Sequence, residues 1–490
     1  MSLLKKVLSA YNIHEPEKFL NPSLADLRDP FELNYMDKVI KMILDTNGKI
    51  LVWGDEDADG ICGTIILMQT LNELGYCASY YIPRRASDGI GLNKPMLERA
   101  KNDGIELIIT CDCGSSNCEL VKYAESIGLK IVVTDHHELH KNIPDVIVNP
   151  KISYPFNDLS GAVVAYKTAQ ALAMKKLGIT ALQWYNVKRD YIIMTMLGIL
   201  GDRVLMFDEN RILVKFGLEY FKNPRKPGLI ALKDKCGDEI TAEGIIKRIL
   251  PLIAAGRLAP ENPVPKLFLE DNYETCRKII EELEKFDSQW QIMVSQAYEE
   301  CVKHVDSAQE ILIVKTEQPE IVLGTCAARL ARRFGKPAFV IGKRGDKYIG
   351  EGRSYNNCDL FDILQKSKEY FVDYGGHKSA CGFTLKPDKL NEFIDHLKKL
   401  QCKYESQFME PIREIEISLD DLKENAHNEL KKLAPFGPGN PPPTFVIKNV
   451  KVGDLLNYGI IAPNMPKEKT INTKITYEPN TNKLVCTTLL

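Results

Sequence analysis

The sequence feature that most constrains this chain is a cluster of carboxylates between a predicted strand and a predicted helix. The apolar run Ile50–Trp53 is short and rich in branched side chains, which is typical of a buried strand. It leads directly into GDEDADG at positions 54–60, and the apolar stretch from 61 to 74 has the length of a helix. Because like charges at this spacing repel strongly, they need a cation or bound protons to stay together. A solvated acidic turn is the alternative.

The segments that follow alternate between predicted strands and predicted helices. Strands are expected at 78–82, 105–110 and 130–134, and helices at 161–177 and from 183 to about 200. Such alternation predicts an α/β fold with a doubly wound parallel sheet. Ligands bind to sheets of this kind beyond the carboxyl ends of the strands.

Acidic residues and histidines recur at these strand ends. Asp112 follows the third strand, Asp135, His136 and His137 follow the fourth, and Asp202 follows a later apolar segment. The chain has only 8 histidines, so an adjacent pair beside an aspartate indicates a binding site more strongly than a lone histidine would. Carboxylate oxygens with an imidazole suit Mn²⁺ or Mg²⁺ rather than structural zinc. The sequence therefore predicts a divalent-cation site at this edge of the sheet.

The second half of the chain predicts a long helix and a further α/β unit. Residues 273–310 contain neither proline nor glycine and are predicted to form one connecting helix. Strands are expected at 310–314 and 338–341, with a helix between them. Two glycine-rich segments, 350–354 and 375–382, are expected to be loops whose backbone amides can bind anions, with ordinary turns as the alternative.

The composition changes at about residue 406. A proline- and glycine-rich segment precedes short strand-like runs, which predicts a small β domain. We therefore expect four parts. They are a first α/β domain with an N-terminal helical extension at 1–270, a connecting helix at 271–310, a second, smaller α/β domain at 311–405 and the β domain at 406–490.

Composition and hydropathy constrain the protein class. The net charge of −2 neither indicates nor excludes a nucleic-acid ligand, because local patches matter more than the sum. No apolar run reaches the ~18–20 residues that span a bilayer. The first residues also lack the apolar core of a secretory signal. We therefore expect no membrane association and a cytoplasmic location.

The motifs, taken in order, resemble a known superfamily. GDEDADG at 54–60, the strand end at Asp112, DHH at 135–137 and the segment at Asp202 resemble the four motifs of the DHH phosphoesterases. GGHKSACG at 375–382 resembles the signature of the DHH-associated C-terminal domain. Five further segments narrow the resemblance to the RecJ family of exonucleases, from about Phe19 to about Phe445. They are PRRASDGIGL, YPFNDLSGAVVAYK, AAGRL, GEGRS and LAPFGPGNPPPTF.

The resemblance implies a centre of two divalent ions, Mn²⁺ or Mg²⁺, that hydrolyses phosphodiester bonds. The residues that match metal ligands are Asp57, Asp59, Asp112, His136 and Asp202, with Asp55 as a further ligand or the partner of one. The residues that match catalytic positions are His137, which contacts the scissile phosphate, Asp112 as a bridging carboxylate, and Asp55. The residues that match positions holding the substrate or facing its cleft are Arg85, Arg257, Arg353, Ser354 and His377.

The resemblance also implies an activity. Members of the RecJ family are metal-dependent, single-strand-specific 5′→3′ exonucleases that release 5′-mononucleotides in DNA repair, recombination and replication. Single-stranded DNA is the implied ligand, and a single-strand-binding protein or other replication and repair factors are candidate partners. The terminal β domain resembles the family's OB-fold, which is a common platform for single strands.

Two other functions remain open at this point. A DHH-family phosphodiesterase of nanoRNA or cyclic dinucleotides would share the metal site, and a RecJ-like replication scaffold would have lost it. The chain also departs from the family pattern in two places. Arg203 follows Asp202 where the family more often has an apolar residue, and the segment 251–254 lacks the Arg and Asn that are usual there.

Overall fold

The structure is a computed structural model of the 490-residue chain. It describes residues 2–89, 91–139, 141–237, 239–355, 358–400, 414–422, 426–458, 460, 466–479 and 481–489. Among these residues, every helix is too short or too polar to cross a bilayer.

The first sheet is parallel, as predicted. Its strands are β1 (Lys49–Trp53), β2 (Cys77–Tyr81), β3 (Ile105–Cys111), β4 (Lys130–Thr134) and β5 (Ile147–Val148). Within the described residues they pair in the order β2-β1-β3-β4-β5. Alternate side chains enter two separate cores, Val52 in one and Leu51 in the other, so helices cover both faces. The predicted doubly wound fold is therefore confirmed. Strand β5 escaped prediction because two residues carry no periodic pattern.

Helices precede, cover and follow this sheet. They are α1 (Leu3–Ala10), α2 (Pro16–Leu20), α3 (Met36–Leu44), α4 (Ala58–Glu73), α5 (Arg85–Asp88), α6 (Lys94–Asn102), α7 (Cys118–Ser126), α8 (Gly161–Leu177), α9 (Ala181–Val187), α10 (Arg189–Asp202), α11 (Asp208–Tyr220), α12 (Pro227–Lys233), α13 (Ala242–Gly244), α14 (Leu250–Ala255), α15 (Val264–Leu269) and α16 (Tyr273–Lys303). The single helix expected from 183 to about 200 is instead the pair α9 and α10, because Lys188 leaves the helical conformation between them.

Helix α16 leads to a second, smaller α/β unit. It ends at Lys303 rather than at 310, and turns of polar residues connect it to the next strand. The elements that follow are β6 (Leu312–Lys315), α17 (Glu320–Phe334), β7 (Ala338–Arg344), β8 (Lys347–Arg353), α18 (Leu360–Lys366), β9 (Phe371–Gly376), β10 (Ala380–Leu385) and α19 (Leu390–Leu397). The described strands pair in the order β6-β7-β8-β10-β9, with only β6 and β7 parallel.

The expectation that the two glycine-rich segments are loops is wrong. They lie mostly in β8, β9 and β10, and only the turn at 377–379 connects strands. A Cβ at Gly350 would lie 2.2 Å from the Phe383 ring, and one at Gly352 would lie 2.6 Å from Cys381 Sγ. The glycines therefore make room for cross-strand side chains, a role that turn statistics do not reveal.

The C-terminal region is a small sheet with two helices. Its elements are β11 (Ile415–Glu416), α20 (Ala426–Lys431), β12 (Thr444–Lys451), α21 (Val452–Asn457), β13 (Thr470–Glu478) and β14 (Lys483–Leu489), and the strands pair in this order. The expected domain start at 406 lies outside the described residues. Helix α1, expected as an extension of the first domain, packs here instead. Its Leu3 and Val7 join the core around Phe445, and Lys6 Nζ lies 2.8 Å from Asp421.

Candidate active site

The residues predicted to bind metal meet at the carboxyl edge of the first sheet. Strands β1, β3 and β4 end at Trp53, Cys111 and Thr134, and acidic residues follow each of them within four positions. The site lies at the ends of β1 and β3, where the strand order reverses. This reversal leaves a crevice outside the strand ends, which is the usual ligand position in an open α/β sheet.

Helix N-termini hold two of the aspartates. Asp57 Oδ1 caps α4 by accepting hydrogen bonds from the amides of Asp59 and Gly60, both at 3.0 Å. The Asp59 carboxylate reaches the start of α8, where it accepts from the amides of Gly161 at 2.6 Å and Ala162 at 3.0 Å. Because a helix N-terminus favours negative charge, these bonds fix both carboxylates without neutralising them.

Two glycines let the carboxylates lie against neighbouring helices. A Cβ at Gly161 would lie 2.6 Å from Asp112 Oδ1, and a Cβ at Gly198 would lie 2.3 Å from Asp59 Oδ1. Both distances are far below van der Waals contact. The helices α8 and α10 therefore pack directly against the acidic groups.

Asp112 has an unusual environment for a buried carboxylate. Its backbone adopts a left-handed conformation with φ of 62°, directly after β3, and its amide donates to the Thr134 carbonyl at 3.1 Å. Its buried Oδ1 atom accepts no hydrogen bond from the described residues and faces His136 Nε2 at 3.0 Å. Because leaving a buried carboxylate oxygen unsatisfied is costly, this atom is suited to contact a cation.

The predicted metal ligands fall into two adjacent groups. One consists of Asp59, His136 and Asp202, and the other of Asp55, Asp57 and Asp112. Within each group the ligand atoms lie within 4.8 Å of one another. His136 Nε2 lies 3.8 Å from Asp59 and Asp202 in its own group and 3.0 Å from Asp112 in the other. The donor set therefore fits two neighbouring divalent cations with oxygen-rich coordination.

The protonation equilibria of the cluster agree with this fit. Burial, followed by the charge of Asp57, raises the pKa of Asp59 to about 7. Burial and neighbouring carboxylates likewise raise the pKa of Asp112 and of Asp202 well above the usual range. Burial lowers the pKa of His136 to about 3, so its imidazole is neutral and free to bind a metal. Bound cations would relieve the repulsion that raises the carboxylate pKa values.

His137 has the opposite protonation behaviour from its neighbour. Burial alone would lower its pKa, but the charge of Asp135 and a hydrogen bond between Asp135 Oδ1 and His137 Nδ1, at 2.8 Å, outweigh burial and raise that pKa to about 9. Asp135 in turn accepts from the amides of Ser115 at 2.8 Å and His136 at 2.7 Å. His137 therefore carries a positive charge at neutral pH, beside a neutral His136.

His377 brings the second α/β unit into contact with this centre. It lies in the turn between β9 and β10, and its ring stacks on that of His137 with centroids 4.6 Å apart. The ring of His136 lies 5.0 Å away. The Nε2 atom of His377 is buried with no hydrogen-bond partner among the residues that the structure describes, and burial lowers the pKa of His377 well below the usual value. The second unit therefore covers the metal cluster of the first.

Comparisons with known families match this arrangement. Residues 49–199 match the N-terminal domain of the DHH family, residues 309–401 match the DHHA1 domain and residues 414–460 match the RecJ OB domain. The chain therefore contains a DHH-family domain, followed by a DHHA1 domain and a RecJ OB domain. The order of its DHH, DHHA1 and OB domains agrees with the predicted fold class.

Curated relatives of this chain are named as single-stranded-DNA-specific exonucleases. The RecJ of Bacillus subtilis is 31% identical over 463 residues, which are 90% of this chain and 57% of that protein. The RecJ of Thermus thermophilus is 29% identical over 413 residues, which are 81% of this chain and 59% of that protein. The chain thus spans somewhat more than half the length of these two relatives.

Solved structures show a similar fold. The crystal structure of RecJ in complex with Mn²⁺ from Thermus thermophilus matches with a TM-score of 0.78 and 22% identity, over 100% of this chain and 78% of the other. A crystal structure of an exonuclease RecJ bound to manganese matches with a TM-score of 0.63 and 26% identity, over 79% of this chain and 98% of the other.

A cleft of about 750 Å³ separates the DHH and DHHA1 domains above the metal cluster. Arg85, Arg353, Ser354 and His377, predicted to bind substrate, all line it. Arg353 donates to Glu351 at 2.9 Å, and Ser354 Oγ donates to the Cys358 carbonyl at 2.7 Å. These predicted substrate residues therefore share one cavity with the predicted metal ligands.

Arg85 is tied to the acidic loop of the DHH domain. Its Nη2 donates to Asp55 Oδ2 at 2.6 Å, and its amide donates to Glu56 at 3.1 Å. Although burial alone would raise the pKa of Asp55, the charge of Arg85 outweighs burial and lowers it. Asp55 is therefore hydrogen-bonded to a guanidinium whose Nη2 also lies 3.7 Å from Asp57 Oδ2.

Arg257 is the predicted substrate residue that the structure leaves out of the cleft. It lines a separate cavity of about 260 Å³ together with Glu56 and Arg84. Its guanidinium stacks over the Trp290 ring of α16 at 4.6 Å from the ring centroid. Arg257 does not line the main cleft, so its position does not support the predicted substrate contact.

Sequence reasoning missed three residues at this site. Asp135 was noted as part of the DHH motif but was not assigned a role, although it sets the charge of His137. Arg203, the C-cap of α10, and Arg332 of α17 both line the cleft. A departure from the family pattern marked Arg203, whereas no sequence signal separated Arg332 from Arg333, and both of these are exposed.

Proposed function

We propose that this protein is a metal-dependent, single-strand-specific exonuclease that degrades DNA from 5′ to 3′ and releases 5′-mononucleotides. One observation carries the proposal. Two groups of metal-ligating side chains lie side by side under a cleft that the DHH and DHHA1 domains share, with a protonated His137 at its edge. Phosphodiester hydrolysis needs this combination of cation sites, a fixed donor and room for a phosphate.

The acidic residues and the positively charged histidine have different roles in this proposal. Two divalent cations, Mn²⁺ or Mg²⁺, when held by the two groups, supply charge neutralisation and activation of the attacking water. Asp112, near the junction of the groups, is the residue best placed to contact both ions. His137, charged through Asp135, donates a hydrogen bond from Nε2 to a phosphate oxygen, because its Nδ1 is already engaged.

The cleft and the C-terminal domain support the choice of substrate. Arg353 and Ser354 face the cleft and can orient a phosphate, and His377 covers His137 from the DHHA1 side. The names of the relatives and the match to a RecJ OB domain favour single-stranded DNA. We propose the same setting for this chain, namely DNA repair, recombination and replication, with a single-strand-binding protein or other replication and repair factors as partners.

A polarity assay tests the proposal. A 30-nucleotide single strand, labelled at either the 5′ or the 3′ end, is incubated with the protein and Mn²⁺. We expect the 5′ label to appear first, as a mononucleotide, and a blunt duplex of the same sequence to resist degradation. Earlier release of the 3′ label, or faster turnover of a dinucleotide than of the long strand, would contradict the proposal. The Asp112→Asn variant controls for a contaminating nuclease.

A further inference from the structure

Arg203 and Arg332 reach the same cleft from different domains. Arg203 ends α10 in a left-handed conformation with φ of 58°, directly after Asp202, so the helix end that positions Asp202 also positions this side chain. Arg332 lies in the last turn of α17, in the DHHA1 domain. Both line the 750 Å³ cleft together with Arg353 of β8. Three arginines, from three different parts of the fold, therefore line the same cleft.

Among the described residues, two of these three charges have no counter-ion. Arg353 pairs with Glu351 at 2.9 Å. In the part of the chain that the structure describes, the guanidinium groups of Arg203 and Arg332 make no hydrogen bond or ion pair. The cleft thus holds uncompensated positive charge beside the acidic metal cluster.

Ordinary structural roles do not explain this arrangement. A cation in the last turn of a helix is favoured by the helix dipole, which accounts for Arg332 and equally for its neighbour Arg333. The Arg333 guanidinium carbon, however, lies 5.5 Å from the centroid of the Phe334 ring, and Arg333 does not line the cleft. Arg203 is the C-cap of α10, so the dipole of that helix favours its charge too, but the dipole does not require an arginine there, and the resemblance leads one to expect an apolar residue.

We infer that Arg203 and Arg332, with Arg353, form an additional site for a phosphate group of the nucleic-acid strand. This inference rests on the proposed function, since it names how the same cleft holds its substrate. A phosphate would neutralise both unpaired guanidinium groups and bridge the two domains. Gly324 of α17 keeps the wall open, because a Cβ there would lie 2.5 Å from Arg353 Nη2. The phosphate is either the 5′-terminal group or an internal phosphodiester.

Binding measurements without metal separate this site from catalysis. A 12-nucleotide strand, carrying a 3′ fluorophore and either a 5′-phosphate or a 5′-hydroxyl, is titrated with protein in EDTA at several salt concentrations. We expect Arg203→Leu and Arg332→Leu each to weaken binding about 10-fold. Each change should also reduce the slope of log Kd against log salt by about 0.7, as expected for one lost phosphate contact to a single strand. Arg333→Leu, from the same helical turn, should change neither quantity.

The two forms of the strand identify the phosphate. Weakening confined to the 5′-phosphorylated strand assigns the site to the terminal group, and equal weakening of both strands assigns it to an internal phosphodiester. Arg203→Lys should restore the salt slope, because it restores the charge, and an unchanged far-ultraviolet circular dichroism spectrum confirms that Arg203→Leu is folded.

Failure of this inference and failure of the proposed function are distinguishable. If the Leu variants keep wild-type affinity and slope, or if the wild type does not bind either strand in EDTA, the phosphate site is refuted even when the wild type degrades DNA. If the wild type binds and the variants weaken binding, but Mn²⁺ does not elicit 5′→3′ degradation, the site stands and the exonuclease proposal fails.

Discussion

His377 of the DHHA1 domain stacks on His137 of the DHH domain, with ring centroids 4.6 Å apart and ring planes 19° apart. The two residues come from different sheets, so their contact depends on how the two domains are held together. Arg344 reinforces that arrangement, since it donates to Glu320 at 2.7 Å and to the backbone carbonyl of Arg85 at 3.3 Å. The charged histidine of one domain is thus covered by the neutral histidine of the other.

The first prediction concerns this cover. His377→Ala removes the ring that shields His137 from water, so we expect a 10- to 100-fold lower kcat/KM on single-stranded DNA, in the range typical for loss of a residue that supports a metal centre from outside it. The affinity for Mn²⁺, measured from the Mn²⁺-dependent rise in unfolding temperature, should not change. His304→Ala, at the end of α16, is the control. A parallel loss of Mn²⁺ affinity would instead make His377 part of the metal centre.

A second prediction follows from the charge of Asp135. The pKa of His137 is about 9, so its imidazolium form persists at pH 7 to 8 and is lost as the pH rises through about 9. Asp135→Asn removes the charge that raises the pKa of His137 most. The loss of activity with rising pH should then begin near the ordinary histidine pKa of 6.5. The measurement is kcat/KM against pH at saturating Mn²⁺.

Asp145→Asn is the matched control for this profile, because Asp145 is exposed and lies outside the cleft. Its pH profile should match that of the wild type. An unshifted profile in Asp135→Asn would show that another group, rather than the imidazolium of His137, limits activity at high pH.

The acidic positions of the site were predictable because they follow strands whose pattern is clear. A short apolar run identifies β1, β3 and β4, and in a parallel sheet their ends must meet at one edge. Asp55, Asp112 and His136 could therefore be placed together before the structure was known. What joins them at atomic distance, such as the left-handed backbone of Asp112, depends on packing that the local sequence does not encode.

The sequence could not predict which distant residues some side chains contact. Arg257 sits in a recognisable motif, yet its guanidinium packs on Trp290 of α16, about thirty positions further along the chain. Helix α1 likewise packs on the C-terminal sheet because Leu3 and Val7 fit a core that only the folded chain creates. Both are long-range contacts that neither propensity nor periodicity can predict.

A third prediction uses the close packing of α10 on Asp59. Gly198→Ala would place a Cβ 2.3 Å from Asp59 Oδ1, so we expect the carboxylate to move and Mn²⁺ affinity to fall at least 10-fold, with a loss of about 1–3 kcal/mol in folding stability. Gly217→Ala creates a similar clash, 2.6 Å from Met196 Cβ, away from the carboxylates. It should lower stability without changing Mn²⁺ affinity. Equal metal affinities in the two variants would contradict the assignment of Asp59 as a ligand.

The last prediction separates the metal from the fold at Asp112. Burial and neighbouring carboxylates raise the pKa of Asp112 well above its usual range, so the folded metal-free protein binds a proton there more tightly than the unfolded chain does. Its contribution to stability is therefore present at low pH and is lost as the pH rises above the ordinary range of an aspartate.

Asp112→Asn removes both the charge and this pH dependence. In EDTA at pH 8 we expect the variant to be more stable than the wild type by about 1–2 kcal/mol, because an unsatisfied buried charge has been replaced by a neutral amide of the same shape. In Mn²⁺ the order should reverse, since the wild type gains stability by binding metal and the variant does not. Its exonuclease activity should fall at least 100-fold. Thermal unfolding at pH 6 and pH 8, with EDTA or Mn²⁺, measures the stability of both proteins under each condition. If Mn²⁺ stabilises the variant as strongly as the wild type, Asp112 is not a metal ligand.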